Sequence, residues 1–276
     1  MKIVFENREI NKLQSIKKTY KTYGLVIFKD FFKDDEIYDN YNNDLETIIS
    51  LACKNKNIKK TVSDKLYDLR KNHDKVLGRI LDLGSKNNKI LSGIKLKSSD
   101  KILYLVKCLL NSKLIGTMSV SDRLILATNL KKEEKWFQGV HMDYNYVLQT
   151  KKSLTAHIGL GNHKNNGGVA FYLKSHKIKN LPLYIDDNGF HKIDKDFLKN
   201  NVYKNYDRLE VPHEPKSLIL FDSQLLHETI RNTKKNVRTT QIFRYSDLSS
   251  KEAISKNWVA VEPKKIGDNY FDRLKF

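Results

Sequence analysis

The stretch "SLILFDSQLLHETIRNTKKNVRTTQIFRYS" (residues 217–246) contains two runs that favour β-strands, separated by a polar segment. The runs "SLILFDS" (217–223) and "VRTTQIFRYS" (237–246) are short and rich in β-branched and aromatic residues, which is typical of strands. His227 lies just beyond the first run, and Arg238 follows eleven residues later on the second. The stretch therefore predicts sheet structure that carries a histidine and an arginine.

Similar short runs recur throughout the chain after Gly116. They are "TMSVSDRLILATNL" (117–130), "GVHMDYNYVLQT" (139–150), "LTAHIGLG" (154–161) and "GGVAFYL" (167–173), with turn-rich segments such as "NHKNNGG" (162–168) and "IDDNGFHKID" (185–194) between them. Many short strands without long helices between them indicate a sandwich or barrel, not alternating βαβ units.

The N-terminal part of the chain has a helical pattern. Apolar residues at helical spacing over residues 8–23, and helix-like segments at 33–54, near 62–83 and near 99–115, surround one short strand at 24–32. Asp34 or Asp35 is suited to cap the second helix. We expect a mainly β protein in which a helical N-terminal portion packs on a double-stranded β-helix, a cupin-like jelly roll.

The length of 276 residues is compatible with one large domain. We expect a single domain over residues 1–276. It comprises a mostly helical part (1–115), the β-helix core (116–250) and a C-terminal extension (251–276).

The composition limits the class of protein. No apolar run approaches the ~18 residues of a membrane-spanning helix, and "MKIVFENREINKL" (1–13) lacks the long apolar core of a signal peptide. Cys53 and Cys108 lie far apart in sequence and resemble small buried hydrophobic residues. We therefore expect a cytoplasmic protein in a reducing environment. The sequence leaves its oligomeric state open.

The charge of the chain raises the question of a nucleic-acid partner. Lys and Arg number 51 against 32 Asp and Glu, which gives a formal net charge of +19. Basic surfaces bind phosphates, but here the excess is mostly Lys, spread along the chain, without a dense Arg patch or a nucleic-acid-binding motif. A solvated lysine-rich surface is the favoured interpretation, and we expect a small-molecule substrate.

His141 and Asp143 stand two residues apart in "QGVHMDYNYV" (138–147), a strand-like run. Side chains two apart on a strand share a face, so these two would project together. A further histidine would complete a two-His, one-carboxylate set, which suits non-haem Fe(II). His227 is favoured by its surroundings. His73, His157, His163, His176, His191 and His213 stay open as alternatives.

Four motifs occur along the chain: "YGLVIFKDFFKDDEI" (23–37), "HMDY" (141–144), "NNGGVAFYLKSHK" (165–177) and "HETIRNTKKNVR" (227–238). Together they resemble the phytanoyl-CoA dioxygenase family of Fe(II)/2-oxoglutarate oxygenases. They occur in the family's order and extend over roughly residues 20–246. The resemblance implies a double-stranded β-helix that uses Fe(II), 2-oxoglutarate and O₂.

The resemblance also implies site residues. His141, Asp143 and His227 would bind iron. Arg238 would hold the C5 carboxylate of 2-oxoglutarate, a role that suits its planar, bidentate guanidinium. Thr229 would hydrogen-bond the same carboxylate.

Three further positions bear on the reaction. His157 would lie beside the co-substrate, where family members often carry an aromatic residue. Related halogenases have a small residue at the position of Asp143, so a carboxylate there favours hydroxylation. Met142 replaces a common Gln, a departure from the family that concerns substrate specificity.

Other functions are compatible with the same residues. An oxygenase with this chemistry that acts on nucleic acid or protein is suggested by the charge. A zinc-dependent enzyme on a cupin-like barrel is suggested by the ligand set, since two histidines and an aspartate also hold zinc. A binding module that retains the fold without activity is the third alternative.

Overall fold

A computed structural model gives the fold of the chain. It describes residues 2–54, 61–85, 89–117, 122–131, 139–146, 150–161, 167–185, 191–234, 237–255 and 258. None of the helices in these ranges is long and apolar enough to cross a membrane.

The helices lie mainly in the first part of the chain. They are α1 (Leu13–Tyr23), α2 (Glu36–Lys54), α3 (Val62–Asn72), α4 (Asp74–Leu83), α5 (Leu91–Lys97), α6 (Asp100–Leu110), α7 (Lys195–Phe197), α8 (Tyr203–Asn205) and α9 (Lys251–Ser255). Within the described residues, short 3₁₀ helices span Asn7–Glu9, Asp143–Tyr146 and Ser175–Lys177, and a π-helical turn spans Leu198–Val202.

Twelve strands are described. They are β1 (Val4–Glu6), β2 (Leu25–Lys29), β3 (Ile115–Thr117), β4 (Arg123–Ala127), β5 (Ser153–Leu160), β6 (Gly168–Tyr172), β7 (Leu183–Ile185), β8 (His191–Ile193), β9 (Arg208–Pro212), β10 (Leu218–Asp222), β11 (His227–Ile230) and β12 (Arg238–Asp247).

Two sheets form the body of the fold. The seven-stranded sheet has the order β1-β2-β10-β5-β12-β3, with β4 also paired to β12, and the three-stranded sheet has the order β11-β6-β9. β7 and β8 form a separate pair. The predicted jelly roll with a helical N-terminal portion is confirmed.

The large sheet buries both of its faces. On β10, Leu218 and Leu220 pack in one apolar cluster with residues of α1, α2, α5 and α6, whereas Ile219 and Phe221 pack in another with Phe171 of the small sheet. Alternate residues of a strand point to opposite faces, so the helices cover the outer face and the small sheet covers the inner one. Every residue of β5 is buried between them.

The helical predictions hold with shifted ends. α1 begins at Leu13, later than expected, and the 62–83 segment divides into two helices at His73. Asp35 caps α2, because its carboxylate accepts a hydrogen bond from the backbone N–H of Tyr38 at 3.0 Å. β1 and β2 belong to the large sheet, so the N-terminal helical part of the chain also contributes strands to the β-helix core. The single-domain division itself stays a prediction.

Two sequence expectations about strands are wrong. In the 139–150 segment, His141 forms only an isolated β-bridge and Asp143–Tyr146 is a 3₁₀ helix, while 147–149 lie outside the described residues. The 185–194 segment, expected to be a turn, contains β8. Both errors have one cause: apolar alternation does not show where a chain finds a hydrogen-bonding partner.

One of the two cysteines is buried, as the sequence analysis expected of both. Cys53 and Cys108 are free thiols; Cys53 is buried in a cluster with residues of α3 and α4, whereas Cys108 is half-buried. Free thiols are what a reducing environment requires. The cytoplasmic location itself stays a prediction.

Gly159 on β5 lies against the connection between β9 and β10. A Cβ atom at this position would lie 2.0 Å from the backbone oxygen of Glu214 and 2.7 Å from its carbonyl carbon. Gly78 in α4 provides a control, because a Cβ there would meet nothing within 4 Å.

We expect Gly159→Ala to destabilise the protein by roughly 2 kcal/mol or more, because backbone atoms must move to relieve the overlap. Gly78→Ala should stabilise it by about 1 kcal/mol through helix propensity. Denaturant unfolding of both variants measures the two effects. Equal stabilities would contradict the close packing of the β9–β10 connection on β5.

Candidate metal centre

A pair of backbone hydrogen bonds brings two of the predicted ligands together. His141 donates its N–H to the carbonyl of His227 at 2.9 Å, and His227 returns an N–H bond to His141 at 2.9 Å. The two imidazole rings lie 4.3 Å apart between centroids. Residues exchanging both bonds face each other directly, so this bridge sets the position of both side chains.

Each of the two imidazoles is oriented by a backbone carbonyl. The Nδ1 atom of His141 lies 2.8 Å from the oxygen of Gly139, and the Nδ1 atom of His227 lies 2.9 Å from the oxygen of Leu225. A carbonyl oxygen only accepts, so each Nδ1 carries the hydrogen and each Nε2 has a lone pair. This arrangement prepares both Nε2 atoms for a metal.

Asp143 completes a cluster that can hold a metal ion. One ligand atom from each of His141, Asp143 and His227 lies within 4.8 Å of the others, and all three residues are buried. Asp143 is the first residue of a 3₁₀ helix, and the backbone N–H of Tyr144 donates to the carbonyl of Ser223 at 2.8 Å. The cluster therefore depends on a turn beside the β10–β11 connection, not on a strand.

Arg244 and Thr155 hold the carboxylate of Asp143. The Nε and Nη2 atoms of Arg244 donate to the two carboxylate oxygens at 3.1 and 2.9 Å. The hydroxyl of Thr155 donates to Oδ2 at 2.5 Å. A bidentate arginine fixes both the position and the plane of a carboxylate. β5 and β12 thus position a predicted ligand that belongs to neither strand.

Burial and charge set the protonation of the three residues. Burial, followed by the neighbouring His227, lowers the pKa of His141 to about 3, and burial also lowers the pKa of His227. Burial alone would raise the pKa of Asp143, but the charge and hydrogen bonds of Arg244 hold it below its usual range. At neutral pH the cluster therefore has two neutral imidazoles and one carboxylate, the forms that bind metals.

Arg238 lies on a strand that the sequence predicted, whereas Thr229 lies on β11, a strand inside the segment that the sequence indicated only as polar. Arg238 opens β12, is buried, and donates from Nη1 to the carbonyl of Gly168 at 3.0 Å and to that of Ile230 at 3.5 Å. Thr229 is half-buried, two residues after His227 on β11, and so shares its face. The structure thus brings the arginine to the edge of the small sheet where β6 and β11 meet.

His157 lies inside the fold among other polar groups. It is buried on β5, its Nδ1 is 3.0 Å from Nε2 of His213, and its ring contacts Phe221 edge-on at 4.9 Å. His213 also approaches the hydroxyl of Thr240, with 3.4 Å between Nδ1 and Oγ1. Burial lowers the pKa of both histidines well below the usual value.

Arg238, Thr240, Ile242 and Arg244 share one face of β12, as alternation predicts. The face accommodates both arginines, because Arg244 reaches the carboxylate of Asp143 and Arg238 lies six residues away towards the other end of the strand.

Sequence reasoning missed two residues at the cluster, Arg244 as the partner of Asp143 and Thr155. The available signal for Arg244 was its shared face with Arg238 on β12 in a chain with few arginines. His213 was named only as an alternative metal ligand, whereas the structure places it beside His157 and Thr240.

The family-like motifs also have supporting roles. The hydroxyl of Ser175 accepts a hydrogen bond from the backbone N–H of Leu226 at 2.9 Å and so fixes the residue before His227. The amide of Asn232 donates to the carbonyl of Ala127 at 3.2 Å, which ties the β11–β12 connection to β4.

The alternative histidines of the sequence analysis are not brought into the described cluster. His73 lies between α3 and α4, and His176 lies in the 3₁₀ helix Ser175–Lys177. His163 is outside the described residues, as is the side chain of His191.

Comparison with known proteins identifies the family. The model of the phytanoyl-CoA dioxygenase (PhyH) family matches residues 20–240. The chain belongs to the phytanoyl-CoA dioxygenase family. No curated protein sequence gives a significant match.

Solved structures share the fold of this PhyH protein. SnoN, a non-heme alpha ketoglutarate dependent epimerase from nogalamycin biosynthesis, is 15% identical with a TM-score of 0.58, over 86% of this chain and 84% of SnoN. EctD from S. alaskensis, solved with bound Fe, is 13% identical with a TM-score of 0.59, over 91% and 79%. AviO1 from Streptomyces viridochromogenes Tue57 is 12% identical with a TM-score of 0.51, over 86% and 96%.

The family establishes the class of chemistry. PhyH proteins are oxygenases that use Fe(II), 2-oxoglutarate and O₂, and this chain is an enzyme of that class. The buried His141, Asp143 and His227 form a donor set that fits iron.

We expect Arg244→Met to destabilise the metal-free PhyH protein by about 3–5 kcal/mol, because it leaves the buried carboxylate of Asp143 without its counter-charge. A divalent cation would replace the missing positive charge. Adding Zn(II) should therefore raise the melting temperature of the variant more than that of the wild type.

Arg208→Met is the matched control, because Arg208 pairs with Glu210 and Glu228 at an exposed site. Its cost should stay within about 1 kcal/mol. An equal loss of stability in the two variants, or a Zn(II) response no larger than that of the wild type, would contradict the role assigned to Arg244.

Proposed function

We propose that this enzyme hydroxylates a small organic metabolite, with His141, Asp143 and His227 as its iron ligands. The buried cluster of these residues, with both Nε2 atoms prepared for a metal, is the observation that supports the assignment. These three side chains would hold the iron and would leave it accessible to the co-substrate and O₂.

Arg238 is the proposed partner of the distal carboxylate of 2-oxoglutarate. Its guanidinium is buried, and Arg244, the other arginine on the same face of β12, is already held by Asp143. A buried arginine binds a carboxylate through two parallel hydrogen bonds. Thr229, on the neighbouring β11, is proposed to hydrogen-bond the same carboxylate, and His157 to border the co-substrate.

The side chains bind, orient and exclude water. The Nδ1 bonds hold the imidazoles of His141 and His227, and Arg244 keeps the carboxylate of Asp143 ionised and fixed in plane. Bound iron and 2-oxoglutarate supply the oxidation: O₂ is consumed, 2-oxoglutarate becomes succinate and CO₂, and the substrate gains one oxygen atom. Asp143 favours hydroxylation, since its carboxylate occupies the place that a halide would need.

The charge of the chain supports an anionic substrate. The formal net charge of +19 attracts anions over long distances at low ionic strength. We therefore propose a carboxylated, phosphorylated, nucleotide-linked or CoA-linked metabolite as the substrate class.

We expect the enzyme, purified anaerobically and loaded with Fe(II), to release succinate in the presence of 2-oxoglutarate, O₂ and an accepted substrate from a panel of anionic and neutral metabolites. The product should contain one additional oxygen atom, as measured by mass spectrometry. His141→Ala removes one proposed ligand and should abolish coupled turnover.

Three results would contradict parts of the proposal. Coupled turnover that survives His141→Ala would refute the ligand assignment. A product without the added oxygen would refute hydroxylation. Such an outcome has a precedent in this fold, because SnoN is described as an epimerase. Predominant zinc after anaerobic purification, without turnover of 2-oxoglutarate, would favour the zinc-enzyme alternative.

A further inference from the structure

A chain of three buried polar side chains runs along the inner face of the large sheet. His157 contacts His213 at 3.0 Å, and His213 approaches Thr240 at 3.4 Å. All three are at most 5% exposed. The proposed function gives a place to His157 but none to His213 or Thr240.

His213 enters the interior because Gly159 has no side chain. β5 directs Thr155, His157 and position 159 to the inner face, and the backbone of Glu214 occupies the space where a Cβ of residue 159 would lie. His213, the residue after β9, can therefore lie close to β5, with its imidazole in the interior between the two sheets.

The strand register gives the order of these groups along β12. Arg244 pairs with Thr155 at the level of the metal cluster, Ile242 pairs with His157, and Thr240 pairs with Gly159. Arg238 comes next on the same face. The chain of three side chains therefore extends from the middle of β12 towards Arg238, the proposed carboxylate site.

Both histidines are neutral, which limits the hydrogens in the chain. Burial is the main cause, and the charge of Arg238 also lowers the pKa of His213. A neutral imidazole has one N–H and one acceptor nitrogen. The two hydrogen bonds must therefore run in one direction, and only one end of the chain keeps a hydrogen for another partner.

An anion at Arg238 determines that direction. Nδ1–H of His157 then donates to Nε2 of His213, and Nδ1–H of His213 donates to the hydroxyl oxygen of Thr240. The hydroxyl hydrogen of Thr240 remains for the anion. The opposite direction would leave the spare hydrogen on Nε2 of His157, at the end of the chain farther from Arg238.

We propose that His213 is a positioning residue for the co-substrate, because it holds Thr240 so that its hydroxyl donates to the carboxylate bound by Arg238. This inference rests on the proposed function. It adds a neutral donor, the hydroxyl of Thr240, to the carboxylate site. If His213 only packed in the core, Phe could replace it at little cost to ligand binding.

The test measures the binding of two acids to the Fe(II)-loaded enzyme by anaerobic calorimetry. 2-Oxoglutarate carries the distal carboxylate, whereas 2-oxopentanoate has a methyl group in its place. His213→Phe removes the hydrogen bonds and keeps a flat ring. Thr240→Val removes the donor, and Thr239→Val is its matched control because residue 239 points to the opposite face.

His213→Phe and Thr240→Val should each weaken 2-oxoglutarate binding about five-fold, the effect of one net hydrogen bond. Their affinity for 2-oxopentanoate should equal that of the wild type, and Thr239→Val should bind both acids normally. His213→Gln, which has both a donor and an acceptor, should recover part of the loss. Melting temperatures identify variants that have lost the fold, and Thr240→Val carries the test if His213→Phe is one of them.

Two outcomes would overturn the inference. Unchanged 2-oxoglutarate binding in both variants would show that the chain makes no contact of consequence with the carboxylate. An equal loss for the two acids would show a general structural role. Failure of the wild type to bind 2-oxoglutarate, or normal binding by Arg238→Gln, would instead refute the proposed function.

Discussion

A carboxylate sealed between two sheets needs a positive charge beside it, and Arg244 supplies that charge to Asp143. Removing charges from water has a large free-energy cost, which is offset only when the pair is well aligned and its other hydrogen bonds are made. The bidentate contact of Arg244 and the hydroxyl of Thr155 meet both conditions. The same contacts leave the carboxylate fixed next to two neutral imidazoles, so the stability of the interior and the geometry of the metal cluster depend on one interaction.

The interior between the sheets is divided by polarity. One side is an apolar cluster to which β2, β6, β9 and β10 contribute. The other side follows β12 from Arg244, past His157 and Thr240, to Arg238. This polar side presents groups that a dicarboxylate co-substrate could use: the cluster of His141, Asp143 and His227 lies at one end and the buried guanidinium of Arg238 at the other. The proposed co-substrate site is therefore lined by the inward-facing side chains of β12 and by the residues of β5 that pair with them.

Much of this fold was predictable because its signals are local. Runs of β-branched residues indicated β5, β6, β10 and β12, and apolar periodicity indicated the main helices. His141, Asp143 and His227 were identified through motifs that resemble one family, and the structure brings them into one buried cluster. The argument that His141 and Asp143 would share the face of one strand, however, was wrong, since Asp143 begins a 3₁₀ helix.

The parts that could not be predicted depend on contacts between distant segments. Alternation placed Arg244 on the same face as Arg238 but could not identify Asp143 as its partner. His213 follows β9, a strand that the sequence did not reveal, and reaches the interior only because Gly159 admits the backbone of Glu214. Periodicity reports the face of an element, whereas the choice of partner is decided by packing in three dimensions.

The most direct test of the central claim is an anaerobic crystal structure of the chain with Fe(II) and 2-oxoglutarate, in which anomalous scattering locates the iron. We predict iron bonded to Nε2 of His141, Nε2 of His227 and a carboxylate oxygen of Asp143, with Arg244 still paired to that carboxylate. The distal carboxylate of 2-oxoglutarate should lie on Arg238. Iron bound by a different set of side chains, or a co-substrate directed away from Arg238, would contradict the account.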